Sequence, residues 1–350
     1  MKHHLFSNNT KGLNFVAIGG GNGLSTLLSG LKRFVNAGET EPIWLEDLSA
    51  IVAVTDDGGS SGRLRDELQM LPPGDIRNCM VALSEDSQTL SKLFKHRFRG
   101  DGDLGGHVFG NIFLAALTEI TGDFAEAVKL SSEIIASKGH IYPATVADVR
   151  LAAELADGKI VRGETKIGLV GGMIKRLFLE PADCKPLPET LAAIKNADVI
   201  SVGPGSLFTS LLPPILVDGV ADAIAGSRAV KIFICNLMTQ PGETDGFTAR
   251  NHIEIFQQYA PQIEFDFVVV NDHPISATQM EIYAGEGAGQ IGVHGSISPE
   301  TIEGSEIVYG NLLDEGDKVR HNPERLAQVA LLCALQPKEK SLQSFQGLVS

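Results

Sequence analysis

Cysteine is scarce in this chain: Cys79, Cys184, Cys235 and Cys333 are the only four among 350 residues. None falls in a C-x-x-C spacing, which excludes a zinc ribbon and a redox dithiol. Thiols kept reduced fit a cytosolic setting. Cations are also in deficit, with 29 Lys and Arg against 43 Asp and Glu, for a formal net charge of −14. That balance excludes broad nucleic-acid binding, which needs a basic face, and docking on anionic membranes. No stretch reaches the roughly 18 apolar residues of a membrane span. The polar segment Met1 to Gly12 lacks the apolar core of a signal peptide. A soluble, cytoplasmic protein is therefore expected. No repeat of 20–50 residues is present, and no His/Asp/Glu cluster has zinc spacing.

Glycine is plentiful, at 38 residues, and much of it follows apolar segments. Asn14–Ile18 reads as a buried strand, followed by a glycine run and by Leu24, Leu27, Leu28 and Leu31 at helical spacing. Ser49–Val54 reads as a second strand. Residues 84–137 read as a mostly helical insertion with a loop at Arg99–Gly106. A β-like region follows, with strands expected over Ile160–Lys166, Gly168–Met173 and Arg176–Glu180. Strand–loop–helix units then return with Asp198–Val202, Lys231–Cys235 and Phe265–Val270. Such units in series predict an α/β fold with a parallel sheet covered on both faces. The expected limits are a flexible N-terminus over 1–12, one Rossmann-like domain over 13–335 and a polar tail over 336–350.

Ligands of open α/β sheets sit at the carboxyl ends of the strands. The chain places unusual loops there: Gly19–Gly23, Thr55–Gly62, Gly203–Ser206, Asn236–Asp245 and Asn271–Asp272. In the first, Gly19, Gly20, Gly21, Asn22 and Gly23 allow a phosphate to approach the backbone. The helix that follows directs its free N–H groups at the anion, with Asn22 or Ser25 as its cap. Thr26 stands where the dinucleotide fingerprint has its third glycine, which disfavours an NAD-dependent oxidoreductase.

Asp56 and Asp57 suit a ribose hydroxyl or, with Asp75, a Mg²⁺ ion bridging phosphates; the bland reading is an Asx turn. Gly58, Gly59, Ser60 and Ser61 extend the anion-cradling character of that loop. Arg77 suits a phosphate or carboxylate, or a salt bridge to Asp75, and Asn78 adjoins it. His107 and Asn111 flank the Gly110 turn, where a lone histidine is more often a cap or a satisfied core group than a ligand. Gly203, Gly205 and Ser206 are not a nucleophile elbow, so the Ser206 hydroxyl reads as an anion contact. Glu243, Thr244 and Asp245 are polar groups suited to sugar hydroxyls, and Asn236 opens the same ligand-binding loop. Arg320 is a further arginine for the ligand, and Tyr283 an aromatic surface for a base.

Seven motifs stand in order: Gly-Gly-Gly-Asn-Gly-Leu-Ser at 19–25, Asp-Asp-Gly-Gly-Ser-Ser-Gly-Arg-Leu-Arg at 56–65, Pro-Pro-Gly-Asp-Ile-Arg-Asn at 72–78, Gly-Asn at 110–111, Gly-Pro-Gly-Ser-Leu at 203–207, Gly-Glu-Thr-Asp-Gly at 242–246 and Arg-His-Asn at 320–322. From about Asn14 to Leu335 this set resembles the YvcK-like gluconeogenesis factors of the CofD-like (2-phospho-L-lactate transferase-like) superfamily. The resemblance implies a Rossmann-like three-layer αβα sandwich, a cytoplasmic protein needed for cell shape under gluconeogenic growth, and a UDP-N-acetylglucosamine-like ligand. On that resemblance Tyr283 and Arg320 contact the nucleotide and the two glycine loops surround the phosphates. The transferase branch is similar in its Asp-Asp pair, matched by Asp56 and Asp57, and in an acid matched by Asp75. Arg77 stands where that branch carries a second acid. Two expectations follow: a nucleotide-sugar-binding regulator acting through a cell-wall-related protein partner, or a Mg²⁺-dependent transferase of a nucleotide-activated phospholactyl group. In the second, Asp56, Asp57 and Asp75 would hold the metal. Oligomeric state is left open.

Overall fold

Successive side chains of the first strand serve two different cores: Phe15 and Ala17 belong to one, Val16 and Ile18 to the other. Burial on both faces is the signature of a central parallel strand. The computed structural model describes residues 12–38, 43–85, 88–172, 174–292 and 301–336. Of the expected polar ends, only Gly12 and Gln336 lie inside those limits, and Met173 lies outside them.

The strands are β1 (Leu13–Gly19), β2 (Leu45–Val52), β3 (His140–Pro143), β4 (Arg150–Leu155), β5 (Ile160–Arg162), β6 (Ile174–Glu180), β7 (Val199–Val202), β8 (Val230–Ile234), β9 (Phe267–Asn271), β10 (Thr301–Ile302) and β11 (Ser305–Gly310). Eight of them form one sheet in the order β10-β11-β9-β8-β7-β1-β2-β3. Every neighbouring pair is parallel except β10 with β11. The chain builds outward from β1 to β3, returns to β7 beside β1, and builds the other way to β11. The order therefore reverses between β1 and β7, which is the topological switch point.

Helices α1 (Gly21–Leu31), α2 (Gly59–Leu68), α3 (Gly74–Leu83), α4 (Thr89–Phe94), α5 (Phe109–Thr121) and α6 (Phe124–Ile134) come before β3. All six contribute to the core that contains Phe15. After the small sheet begins come α7 (Glu164–Leu169), α8 (Pro188–Asn196), α9 (Leu212–Ile215), α10 (Val220–Gly226), α11 (Ala249–Tyr259), α12 (Ala277–Gly285) and α13 (Pro323–Ala334). Helices α7 to α11 fill the opposite core, whereas α13 crosses back to pack on α1. The result is a three-layer αβα sandwich. Local signals fix several helix starts: Asp123 caps α6 by accepting from the Glu126 N–H, and Asn322 caps α13 with Pro323 in its first turn. Among the described residues no single helix is long and apolar enough to cross a membrane.

The β-like region forms a separate antiparallel sheet, β5-β4-β6. Here the sequence expectation is corrected. Strand structure over Ile160–Lys166 stops at Arg162, because Gly163 takes φ +100° and turns the chain into α7. In the described part of the strand expected over Gly168–Met173, residues 168–172, the chain forms the end of α7 and a loop that includes Gly171 at φ +60°. Helix α2 starts within the glycine loop, at Gly59. Strands β3, β4, β10 and β11 were not anticipated.

Candidate functional site

The helix that follows β1 has no side-chain cap. Its N-cap residue is Gly20, so neither Asn22 nor Ser25 fills the expected capping role. Instead the Ser25 and Thr26 hydroxyls donate back to the Asn22 carbonyl, at 3.1 and 2.8 Å. First-turn N–H groups of a helix have no intrahelical partner, and here no side-chain oxygen from the helix's own start satisfies them. A crevice of about 390 Å³ opens in front of them. Its walls are Gly20–Gly23 and Thr26, the 204–206 loop after β7, the 236–240 loop after β8, and Val319–His321. This is the switch point between β1 and β7, where the strand order reverses.

Close packing of two loops makes the crevice. A β-carbon on Gly23 would lie 2.2 Å from the Pro204 carbonyl oxygen, so only glycine lets the first loop meet the third. The Gly205 N–H donates to Asn236 Oδ1 at 3.0 Å, which ties the β7 loop to the β8 loop. Ser206 donates to Glu243 Oε2 at 2.7 Å and accepts from the Thr209 N–H. Burial raises the Glu243 carboxyl above its ordinary value. The Ser206 side chain is thus held by its neighbours. Thr244 accepts from the Gln240 N–H at 2.9 Å, and Asp245 accepts from the Gly242 N–H at 2.8 Å; both shape their loop, outside the crevice walls. Exposed Arg320 stands on the crevice wall. Tyr283, on α12, sits behind it: its hydroxyl accepts from the Val319 N–H at 3.1 Å.

A second group of side chains adjoins the first. Asp75 faces the glycine loop: the Gly21 N–H donates to its carboxylate, and a β-carbon on Gly20 would lie 2.6 Å from Oδ2. Burial, reinforced by Asp56, lifts the Asp75 carboxyl to about 7. Asp56 makes an Asx turn, accepting from the Gly58 N–H at 2.9 Å. Asp57 reaches across the molecule to α7, accepting from the Thr165 N–H at 2.9 Å and its hydroxyl at 2.7 Å. Glu164, at the start of α7, completes the group. Burial holds its carboxyl well above the usual range, with Asp75, Asp56 and Asp57 adding to the effect.

Each of the three aspartates thus has an internal donor. Among the described residues no three His, Cys, Asp or Glu side chains are placed to hold a metal ion. The acidic group does not fit a preformed Mg²⁺ site.

Arg77 makes no salt bridge to Asp75. Its Nη2 donates to Asn78 Oδ1 at 2.7 Å, and its buried Nε has no partner. Burial, with Arg97 nearby, lowers its pKa against the pull of Asp75 and Asp56. Ser60 and Ser61 are buried at the start of α2, where Asn111 Nδ2 donates to Ser60 Oγ at 3.1 Å and the Ser60 hydroxyl meets His107 Nδ1 at 3.2 Å. This network pins α2 to α5. The histidine is a satisfied core group, as its isolation in sequence suggests.

The structure thus brings Gly20, Gly21, Asn22, Gly23, Gly205, Ser206, Asn236 and Arg320 around one crevice. It gathers Asp56, Asp57 and Asp75 around Glu164, with Asp75 against the glycine loop. Sequence reading missed Glu164, Ser210, Met238, Gln240 and His321. His321 lies inside the Arg-His-Asn motif and lines the crevice; burial lowers its pKa to about 4, so the ring is neutral at pH 7. Glu164 carries no motif and meets Asp56 only through the fold.

A doubly wound α/β protein with a glycine-walled crevice at its switch point is the class that fold and geometry define. Comparison with known proteins makes it specific. The family profile described as 2-phospho-L-lactate transferase CofD matches residues 15–313. The gluconeogenesis factor of Halalkalibacterium halodurans is 45% identical over 318 residues, which are 91% of this chain and 95% of that protein. The gluconeogenesis factor of Bacillus subtilis is 43% identical over 312 residues, covering 89% and 95% respectively. A crystal structure of a UPF0052 family member from Bacillus halodurans matches with a TM-score of 0.83 at 44% identity, over 92% of this chain and 99% of that one. The chain belongs to the CofD family and, within it, to the gluconeogenesis factors.

Proposed function

We propose that the crevice binds a nucleoside-diphosphate sugar of the UDP-N-acetylglucosamine type, and that the protein works as a cytoplasmic regulator rather than by turnover. In this reading it supports cell shape during gluconeogenic growth through a protein partner. The observation that carries the proposal is the position of the α1 N-terminus, which no side chain of its own first turn caps, on a crevice at the switch point. The N–H groups of Asn22 and Gly23 meet the diphosphate, where a helix N-terminus favours negative charge. Arg320 adds a guanidinium from the opposite wall, suited to bidentate phosphate contact or to stacking on the base. The Asn236 and Gln240 side-chain amides suit sugar hydroxyls. At about 390 Å³ the crevice is near the lower end of ligand-pocket sizes, so the sugar and base extend over its rim.

Titration calorimetry with UDP-N-acetylglucosamine, GTP and NAD, each with and without Mg²⁺, tests this. Micromolar binding of the UDP-sugar, preferred over the other two, indifferent to Mg²⁺ and without product, is the expected result. Metal-dependent consumption of a nucleotide-activated lactate would overturn the regulatory reading in favour of a transferase.

A further inference from the structure

The small sheet carries a second feature, remote from the crevice walls. Its edge strand β5 and the helix α7 enclose a groove of about 410 Å³, lined by Lys159–Arg162, Lys166, Leu169 and Val170. Two apolar side chains stand open here: Leu169 is 79% exposed and Ile160 47%. Isolated exposed apolar residues are ordinary; here two flank one groove. The rim is basic in a chain of net charge −14. Among the described residues neither Lys159 nor Lys166 has a carboxylate within 4 Å, while Arg162 pairs with Glu180 at 2.8 Å.

The backbone of β5 is open as well. The Gly163 N–H donates to the Leu151 carbonyl, and the Leu155 N–H donates to the Lys159 carbonyl. With Ala153 opposite Val161, the backbone groups of Lys159, Val161 and Gly163 face β4. In an antiparallel ladder the alternate residues face away, so those of Ile160 and Arg162 face outward. An extended segment can therefore pair with β5, which is recognition by strand addition.

We propose that the β5–α7 groove docks an extended segment of a partner protein in which acidic and apolar residues alternate. Its backbone pairs with Ile160 and Arg162, its apolar side chains cover Ile160 and Leu169, and its carboxylates meet Lys159 and Lys166. Charge selects this occupant: the basic rim stands out on an acidic molecule, and the overall −14 disfavours an anionic bilayer, the other surface that lysines attract. Asp57 of the acidic group holds the first turn of the same helix. Docking itself does not depend on the nucleotide reading.

The test uses the full chain without nucleotide. Fluorescence anisotropy is measured with a labelled Glu-Val-Glu-Val-Glu-Val peptide, a Lys-Val control of equal length, and phosphatidylglycerol vesicles. The acidic peptide is expected to bind at least tenfold more tightly than the control. The double variant Lys159→Glu/Lys166→Glu is expected to lose at least tenfold, with unchanged circular dichroism. Leu169→Ser, on an exposed position that leaves the core intact, is expected to weaken binding several-fold. Equal binding of both peptides, binding indifferent to the charge reversal, or vesicle binding without peptide binding would each overturn the proposal.

Discussion

Asp75→Asn changes stability in a way that depends on pH. In the folded chain the carboxyl titrates at about 7, against an ordinary 3.8, because it is buried beside Asp56. The folded value lies above the unfolded one, so the native state holds the extra proton between the two. Stability from this group is full below about pH 3.8 and is lost as pH rises through 7. A rise of that size costs roughly 4 kcal/mol once the group is ionised, at about 1.4 kcal/mol for each tenfold change in proton affinity. That figure already includes the attraction of Arg77 for the ionised form. Asparagine has no charge to bury and keeps an oxygen for the Gly21 N–H. The variant is expected to be about 2–4 kcal/mol more stable than the parent at pH 8.5. At pH 4 the two should agree within about 1 kcal/mol, since both side chains are then neutral. Urea unfolding reports this through Trp44, the sole tryptophan. A difference between the proteins that is the same at both pH values would refute the reasoning.

Other outcomes concern the crevice. A phosphate at the α1 N-terminus lies near Asp75, so UDP-sugar affinity is expected to fall as pH rises through 7; calorimetry of Asp75→Asn should show a flat profile. Arg320→Ala is expected to weaken that affinity tenfold or more, about 1.4 kcal/mol or above, with Tm unchanged because the side chain is exposed. Gly23→Ala forces its β-carbon against the Pro204 carbonyl oxygen; overpacking of this kind costs about 1–3 kcal/mol, read as a lower Tm together with weaker binding. Tyr283→Phe removes the acceptor of the Val319 N–H. The loss of about 0.5–1.5 kcal/mol is expected chiefly in ligand affinity, because the released segment carries Arg320.

The parallel sheet was legible because its strands are short apolar runs, most of them ending at or just before a glycine or an amide. β1, β2, β7, β8 and β9 all lie where those runs stand, shifted by a few residues. The loops that line the crevice were legible for the same reason. β3 was not: His140-Ile-Tyr-Pro143 is four residues with alternating burial and a proline, too short to show a period. The stretch at 160–173 misled because its Val, Ile and Gly content favours strand, while the turn at Gly163 is a backbone event set by tertiary contact. Side-chain roles were the least legible. Ser60, Ser61 and Asn111 look like anion ligands in sequence but bond to one another across 50 residues. Asp57 reads as a ribose or metal group, yet it holds Thr165, 108 residues away. No local pattern encodes such pairings.

The most direct test is a crystal structure of the complex with UDP-N-acetylglucosamine. Diphosphate density within hydrogen-bonding distance of the Asn22 and Gly23 N–H groups, with Arg320 turned toward the nucleotide, is the predicted result. A diphosphate bound instead through a metal ion on Asp56, Asp57 and Asp75, with the α1 N-terminus free, would contradict the account.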